Sequence, residues 1–74
     1  MSQNLAILDY MKTHGSITPL EALNAFGCMR LGARIYDLRQ AGIQIRCEME
    51  AGINRFGYPT RFARYSIEGG NGNA

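Results

Sequence analysis

Arginine is the residue type in this sequence best suited to recognising a charged partner. Seven of the eight cationic residues are arginines, and all seven lie between residues 30 and 74. A guanidinium group is planar and presents a fork of donors that matches phosphate oxygens and the edge of guanine. Residues 30–74 hold seven arginines against four acidic residues, whereas residues 1–29 hold one lysine against two acidic residues. The alternative interpretation is a solvated surface that favours arginine, and composition alone does not separate the two.

Side chains suited to catalysis or metal binding are not grouped in any pattern that supports such chemistry. The sequence has one histidine, His14, and two cysteines, Cys28 and Cys47, whose spacing fits neither a zinc site nor a disulfide framework. The acidic residues are scattered, and no base accompanies Ser16. We therefore predict that the protein is not an enzyme and has no catalytic residues, no metal and no cofactor. Both thiols are interpreted as small apolar residues in a reducing compartment.

Length and composition predict one small globular domain. The chain has 74 residues, of which 46% are hydrophobic and 19% charged, a balance typical of folded domains. A domain of this size has a thin core and cannot enclose a large catalytic cavity. Its net charge of +2 is weak evidence for any partner. Because we find no leader-like segment and no apolar run approaching about 18 residues, we expect a cytoplasmic protein with no membrane partner.

The first helix is predicted over residues 4–14 and the second begins shortly after it. Leu5, Leu8 and Met11 recur at helical spacing in the first segment, and Gly15 is expected to end it. The next two residues leave room for one extended pair.

A capping box over Thr18–Glu21, with proline at the first helical position, predicts a second helix that ends at Gly27. A third helix is predicted to begin near Cys28 or Met29 and to run to Ala41. The glycine that follows Ala41 is well placed as its stop.

After residue 42 the spacing of hydrophobic residues changes from the helical three or four to every second residue. This alternation predicts a strand whose buried face carries Ile43, Ile45, Cys47 and Met49. Residues 51–60 contain glycine, asparagine and proline and predict a loop. Alternation resumes over 61–67, so an antiparallel hairpin is expected. We predict a domain over residues 1–68 and a flexible tail over 69–74.

The order of these elements resembles the winged helix-turn-helix family of DNA-binding domains. The resemblance covers residues 3–67 and is carried by the stretches SITPLEALNAFG, RLGARIYDLRQAGIQI and RFARYSI. It implies an α+β fold, a three-helix winged helix-turn-helix with a C-terminal two-stranded β-hairpin wing. The sequence looks most like small bacteriophage and prophage proteins of this kind. The resemblance also implies a recognition helix, about 29–41, in the major groove and a basic wing, about 51–61, on phosphates or the minor groove.

The third helix divides into a buried stripe and an outward face. With about 100° per residue, the stripe contains Cys28, Leu31, Ile35 and Leu38. The outward side carries Met29, Arg30, Ala33, Tyr36, Asp37 and Gln40, with Arg34 on its flank. Arg30 and Arg34 can address guanine or phosphate, and Asp37 can orient either arginine or accept from a cytosine amino group. Small Ala33 lets the backbone approach closely. The alternative is an exposed helix stabilised by ion pairs worth a few tenths of a kcal/mol.

The predicted loop between the strands combines cations with aromatic side chains. Residues 55–64 contain three arginines and no acidic residue. The wing residues expected to contact phosphates or a narrow minor groove are Arg55, Tyr58, Arg61 and Arg64. The alternative interpretation is that Phe56 or Tyr58 folds back over the thin core. Phe62, on the outward side of the second strand, then caps the sheet or belongs to a protein interface.

Two functional hypotheses follow from these patterns. The first is a double-stranded DNA-binding protein that acts as a phage or bacterial transcriptional regulator. The second is a winged-helix module that binds and inhibits a host protein, which the modest net charge and the acidic Glu48 and Glu50 beside the wing favour. Because one recognition helix covers only about a half-site, a homodimer is a further candidate partner.

Overall fold

The computed structural model describes residues 3–68, which form three helices followed by a two-stranded antiparallel sheet. The elements are α1 (Gln3–His14), α2 (Pro19–Phe26), α3 (Leu31–Gln40), β1 (Ile45–Ile53) and β2 (Pro59–Ile67). The predicted α+β architecture of three helices and a C-terminal hairpin is confirmed. The tail predicted over residues 69–74 lies outside the described residues.

Helix α1 packs through Met11 and Ile7 of the predicted stripe but not through Leu5. Ile7 and Met11, one turn apart, are almost completely buried, whereas Leu5 is 56% exposed. A separation of two residues places Leu5 on nearly the opposite side of the helix from Ile7. The core therefore selects Ile7 and Met11, and the expectation that Leu5 belongs to the buried stripe is wrong.

Helix α2 begins and ends where the sequence predicts. The hydroxyl of Thr18 accepts a hydrogen bond from the Glu21 amide at 3.2 Å, and the Glu21 carboxylate accepts one from the Thr18 amide at 3.0 Å. This capping box is complete, and Pro19 occupies the first helical position. Gly27 ends the helix in the left-handed conformation, with φ of 66°, which a glycine adopts without steric cost.

Helix α3 is shorter at both ends than predicted. It spans Leu31–Gln40, and Arg30 precedes it with a non-helical φ of −133° and ψ of 63°. The amide of Cys28 still donates to Ala22 at 3.2 Å, and its side chain is buried in the core. The chain must leave α2 and change direction before a new helix can begin, so the predicted start at Cys28 or Met29 is wrong.

An isolated one-residue bridge joins Ile17 to the hairpin. The register of β1 and β2 runs from Ile45 opposite Ile67 to Ile53 opposite Pro59. Ile17 joins the other side of β2 by exchanging two backbone hydrogen bonds with Tyr65, at 2.8 and 2.9 Å. The predicted extended pair before α2 is thereby confirmed, and it lies against the side of β2 that β1 does not occupy.

The hairpin strands are longer and their loop is shorter than predicted. Pairing continues to Ile53 and Pro59, which leaves a loop over residues 54–58 instead of 51–60. Pro59 and Tyr65 are six residues apart, so the nitrogen of Pro59 points to the same side of β2 as the Tyr65 amide, away from β1. Ile17 pairs with that side only at Tyr65, so no hydrogen-bond donor is needed at Pro59. Glycine suits position 52 because the Phe62 ring packs against its backbone, and a Cβ there would lie 3.0 Å from the ring. Both residues that suggested a loop therefore fit a strand.

The core is formed by nine buried hydrophobic residues from all three helices, the α2–α3 turn, the bridge residue Ile17 and the base of β1. They are Ile7, Met11, Ile17, Ala22, Cys28, Leu31, Ile35, Leu38 and Ile45. The predicted buried face of the first strand holds at Ile45 but fails beyond it, because Cys47 is exposed and Met49 is 54% exposed. Beyond Ile45, β1 is not covered by the helices. Of the two cysteines, Cys28 is therefore an interior residue and Cys47 is exposed.

Tyr65 lies on β2 and packs against the core. Burial raises the pKa of the Tyr65 phenol, the Cys47 thiol adds to this effect and Arg39 opposes it. The phenol therefore stays neutral at physiological pH and packs against the core as a polar-tipped aromatic side chain.

Candidate nucleic-acid interface

Helix α3 turns one side to the core and leaves the opposite side open. Leu31, Ile35 and Leu38 are buried, whereas Met29 just before the helix is 86% exposed and Tyr36 is 62% exposed. The same open side carries Gly32 and Gln40, both exposed. Tyr36 and Met29 were on the predicted outward face. Gly32 was not, because a missing side chain leaves no signal on a helical wheel.

The open side of α3 is most positive at its N-terminus. Arg30 is exposed, and its guanidinium has no hydrogen bond or ion pair within residues 3–68. No side chain caps the helix, so amide donors of its first turn remain available. A Cβ at Gly32 would meet nothing within 4 Å, so the backbone here is accessible to an approaching group. These features suit a phosphate or a base edge.

Arg34 and Asp37 lie on the flank of α3 that faces α1. They form an ion pair at 3.2 Å, with side chains 35% and 42% exposed. The Asp37 carboxylate also accepts a long hydrogen bond of 3.5 Å from Asn4 on α1. Asp37 therefore orients Arg34, which is one of the roles predicted for it, and lies well away from Arg30. Ala33 is half-buried beside this pair.

Arg39 fixes the end of α3 to the hairpin, a role that the sequence pattern does not reveal. Its guanidinium donates a 2.8 Å hydrogen bond to the carbonyl of Ile45 at the start of β1. No sequence motif marks an arginine that binds a backbone carbonyl six residues further along the chain, so only the structure shows this contact. It sets the position of the hairpin relative to α3.

The wing loop, residues 54–58, is ordered by the side chain of Asn54. Its carbonyl oxygen accepts hydrogen bonds from the amides of Phe56 at 2.9 Å and Tyr58 at 3.1 Å. Gly57 adopts a φ of 85°, which permits the tight turn. Phe56 and Tyr58 are 74% and 67% exposed, so the expectation that one of them folds back over the core is wrong.

The four predicted wing residues divide into two groups. Arg55 and Tyr58 lie in the loop, and Arg61 is exposed on β2 with no polar partner within the described part of the chain. Arg64 instead binds Glu50 and the Ser16 hydroxyl, both at 2.9 Å, and lies 4.0 Å from Glu21. Arg61 and Arg64 are an odd number of residues apart, so they project from opposite faces of the strand. Arg64 therefore links the hairpin to α2.

A shallow groove separates the hairpin from the start of α2. Its volume is about 600 Å³, and its apolar lining includes Leu20, Ile53 and Phe62. Leu20 and Ile53 are 65% and 73% exposed, whereas Phe62 is half-buried against Gly52. Phe62 thus covers the sheet, and the groove provides an apolar surface that extends to Asn54 and Arg55 of the wing loop.

The three-helix core, the tight α2–α3 turn, the open α3 and the projecting hairpin define a winged helix-turn-helix domain. The chain belongs to this family, since the family model described as a winged helix-turn-helix domain matches residues 2–69. No curated protein and no solved structure matches the chain. Domains of this class are typically DNA-binding modules without catalytic activity. Within the described residues, no helix is long and apolar enough to cross a membrane.

Proposed function

We propose that this protein binds double-stranded DNA with the open side of α3 in the major groove and the wing on the adjacent backbone or minor groove. The observation that carries this proposal is the position of the unpaired guanidinium groups. Arg30 lies at the start of α3, while Arg55 and Arg61 belong to the wing, and none has an ion-pair partner in residues 3–68. A winged helix-turn-helix domain presents these two surfaces to a duplex.

Each element has a distinct part in this mode of binding. Arg30 and the exposed amides at the start of α3 reach a guanine edge or a phosphate. Tyr36 and Gln40, further along the open side, meet the edges of neighbouring base pairs. Arg34, held by Asp37, contacts the phosphate backbone from the flank. Arg55 and Arg61 bind phosphates beside the wing.

The biological role that fits best is transcriptional regulation in a bacteriophage or a bacterium, in the cytoplasm. Helix α3 has only ten residues and covers about one half-site, so useful specificity requires two copies on adjacent half-sites. The exposed edge of β1 and the outer side of α1 are available to a second copy.

The direct test is selection of binding sites from a random duplex library. We expect enrichment of a short motif, bound more tightly than a scrambled duplex of equal length by at least about 10³-fold when two half-sites are present. Failure to enrich any motif, with equal affinity for all duplexes, would contradict recognition through α3.

A second candidate function is supported by the groove between α2 and the hairpin. Leu20, Ile53 and Phe62 form an apolar surface, and such patches on small proteins often contact other proteins. In this case the winged fold binds a host protein and inhibits it. Leu20→Asp and Ile53→Asp would then abolish binding and inhibition of the host protein while leaving duplex binding intact.

A further inference from the structure

The wing tip presents a large aromatic side chain that nothing in the domain covers. The Phe56 side chain is 74% exposed, and the neighbouring Tyr58 is 67% exposed. Burying a phenylalanine ring is favourable relative to leaving it in water. Two such side chains at the end of a projecting hairpin therefore mark a contact surface.

The loop holds Phe56 in this position before any partner arrives. Asn54 binds the amides of Phe56 and Tyr58 through its side chain. Its own amide donates to the Tyr58 carbonyl at 2.9 Å, and its carbonyl accepts from Gly57 at 2.9 Å. A loop with four hydrogen bonds around one residue loses little freedom on binding, so the exposed ring is preorganised.

The charges around the ring select the kind of partner. The Arg55 guanidinium lies 6.0 Å from the centre of the Phe56 ring, and Arg61 is exposed nearby on β2. Within the described residues, Arg55 and Arg61 have no ion-pair partner, whereas Arg64 is paired with Glu50. An apolar pocket on a protein would match the ring but not the cations, whereas a nucleic acid offers stacked bases beside phosphates.

The length of the hairpin is sufficient to span the distance between neighbouring grooves of a duplex. The nine residues of β1 span roughly 26 Å at about 3.3 Å per residue. A half-turn of B-form DNA is about 17 Å. The wing can therefore reach the minor groove next to the major groove that α3 occupies.

We propose that Phe56 is a wedge that enters the minor groove, partly unstacks one base step and bends the duplex. This inference rests on the proposed function, since it requires the duplex to be bound. Flexible pyrimidine–purine steps unstack most easily and are the expected point of entry. Arg55 and Arg61 then lie against the phosphates on either side of the opened step.

The test measures bending of a selected duplex labelled at its two ends with a fluorescence donor and acceptor. At saturating wild-type protein, we expect energy transfer to rise by an amount that corresponds to a bend between about 20° and 90°. Phe56→Ala should lose most of this rise, whereas Phe56→Leu should retain it because leucine also serves as a wedge. Leu23→Ala, which removes an exposed apolar side chain from α2, should bend the duplex like the wild type.

Two outcomes overturn the inference, and they differ from failure of the proposed function. If the wild type saturates the duplex without bending it, or if Phe56→Ala bends it fully, Phe56 is not a wedge although DNA binding stands. If no duplex is bound at all, both proposals fail. Equal urea midpoints for the three variants and the wild type ensure that a lost bend reflects the wedge and not unfolding.

Discussion

At the scale of single residues, Arg30 is the side chain on which sequence recognition depends most. Its guanidinium is exposed and unpaired within residues 3–68, at the open N-terminus of α3. We expect Arg30→Ala to weaken binding to the selected duplex by about 1–3 kcal/mol and to relax preference at one base pair. Lys12→Ala is the matched control, because it removes the same charge from exposed α1. Equal losses for both variants would show that only net charge matters.

Arg64 and Arg61 form a second pair of matched residues, three positions apart on β2. Arg64 contacts Glu50, Ser16 and Glu21, so Arg64→Ala should lower the free energy of unfolding by about 1 kcal/mol. Arg61→Ala should change it by less than about 0.5 kcal/mol but should weaken binding to all duplexes alike. Urea denaturation and a binding titration separate the two effects. If Arg64→Ala left the free energy of unfolding unchanged but weakened duplex binding, Arg64 would be a DNA-contacting residue and not a structural one.

These residues show how far sequence reasoning reaches into the site. The outward position of Tyr36 follows from helical periodicity, because the spacing of the buried Leu31, Ile35 and Leu38 determines it. The partners of Arg64 do not follow, because they lie 14 and 48 residues away in the chain. Only tertiary structure brings such groups together, so a charge pattern cannot distinguish a structural arginine from a free one.

At the scale of elements, Gly32 in the first turn of α3 connects stability to function. Glycine in a helix costs about 1 kcal/mol relative to alanine, and a Cβ at this position would meet nothing within 4 Å. We therefore expect Gly32→Ala to raise the free energy of unfolding by about 0.5–1 kcal/mol. The added methyl group lies on the open side, so the variant should bind the selected duplex less tightly. Tighter or unchanged binding would mean that this turn does not approach DNA.

The elements themselves were predictable where a local rule decides them. The capping box before α2 and the left-handed Gly27 after it are local, and both ends of that helix match the prediction. The start of α3 was not predictable, since it depends on the path of the chain between α2 and α3, where the Cys28 amide still donates to Ala22. The ends of the hairpin strands depend on cross-strand pairing, which admits Gly52 and Pro59 despite their low strand propensity.

At the scale of the whole molecule, the exposed cations set the electrostatics of binding. The net charge of +2 is small, and the structure reduces the cations available for phosphates. Arg64 is paired with Glu50, Arg46 with Glu48 and Glu68, and Arg39 is engaged with Ile45. Three or four arginines remain for a bound duplex: Arg30, Arg55, Arg61 and, from its ion pair, Arg34. Each monomer should therefore neutralise three or four phosphates, a modest number that favours specific over non-specific binding.

The most direct test of DNA binding by these surfaces is the dependence of duplex affinity on salt. We expect the association constant of one monomer for its selected half-site to fall as salt rises, with a slope near −3 to −4 on logarithmic axes. The Arg30→Ala and Arg61→Ala variants should each reduce the size of that slope by about 1. An association constant independent of salt, or no saturable binding to any duplex, would contradict the assignment of α3 and the wing as a DNA-binding surface.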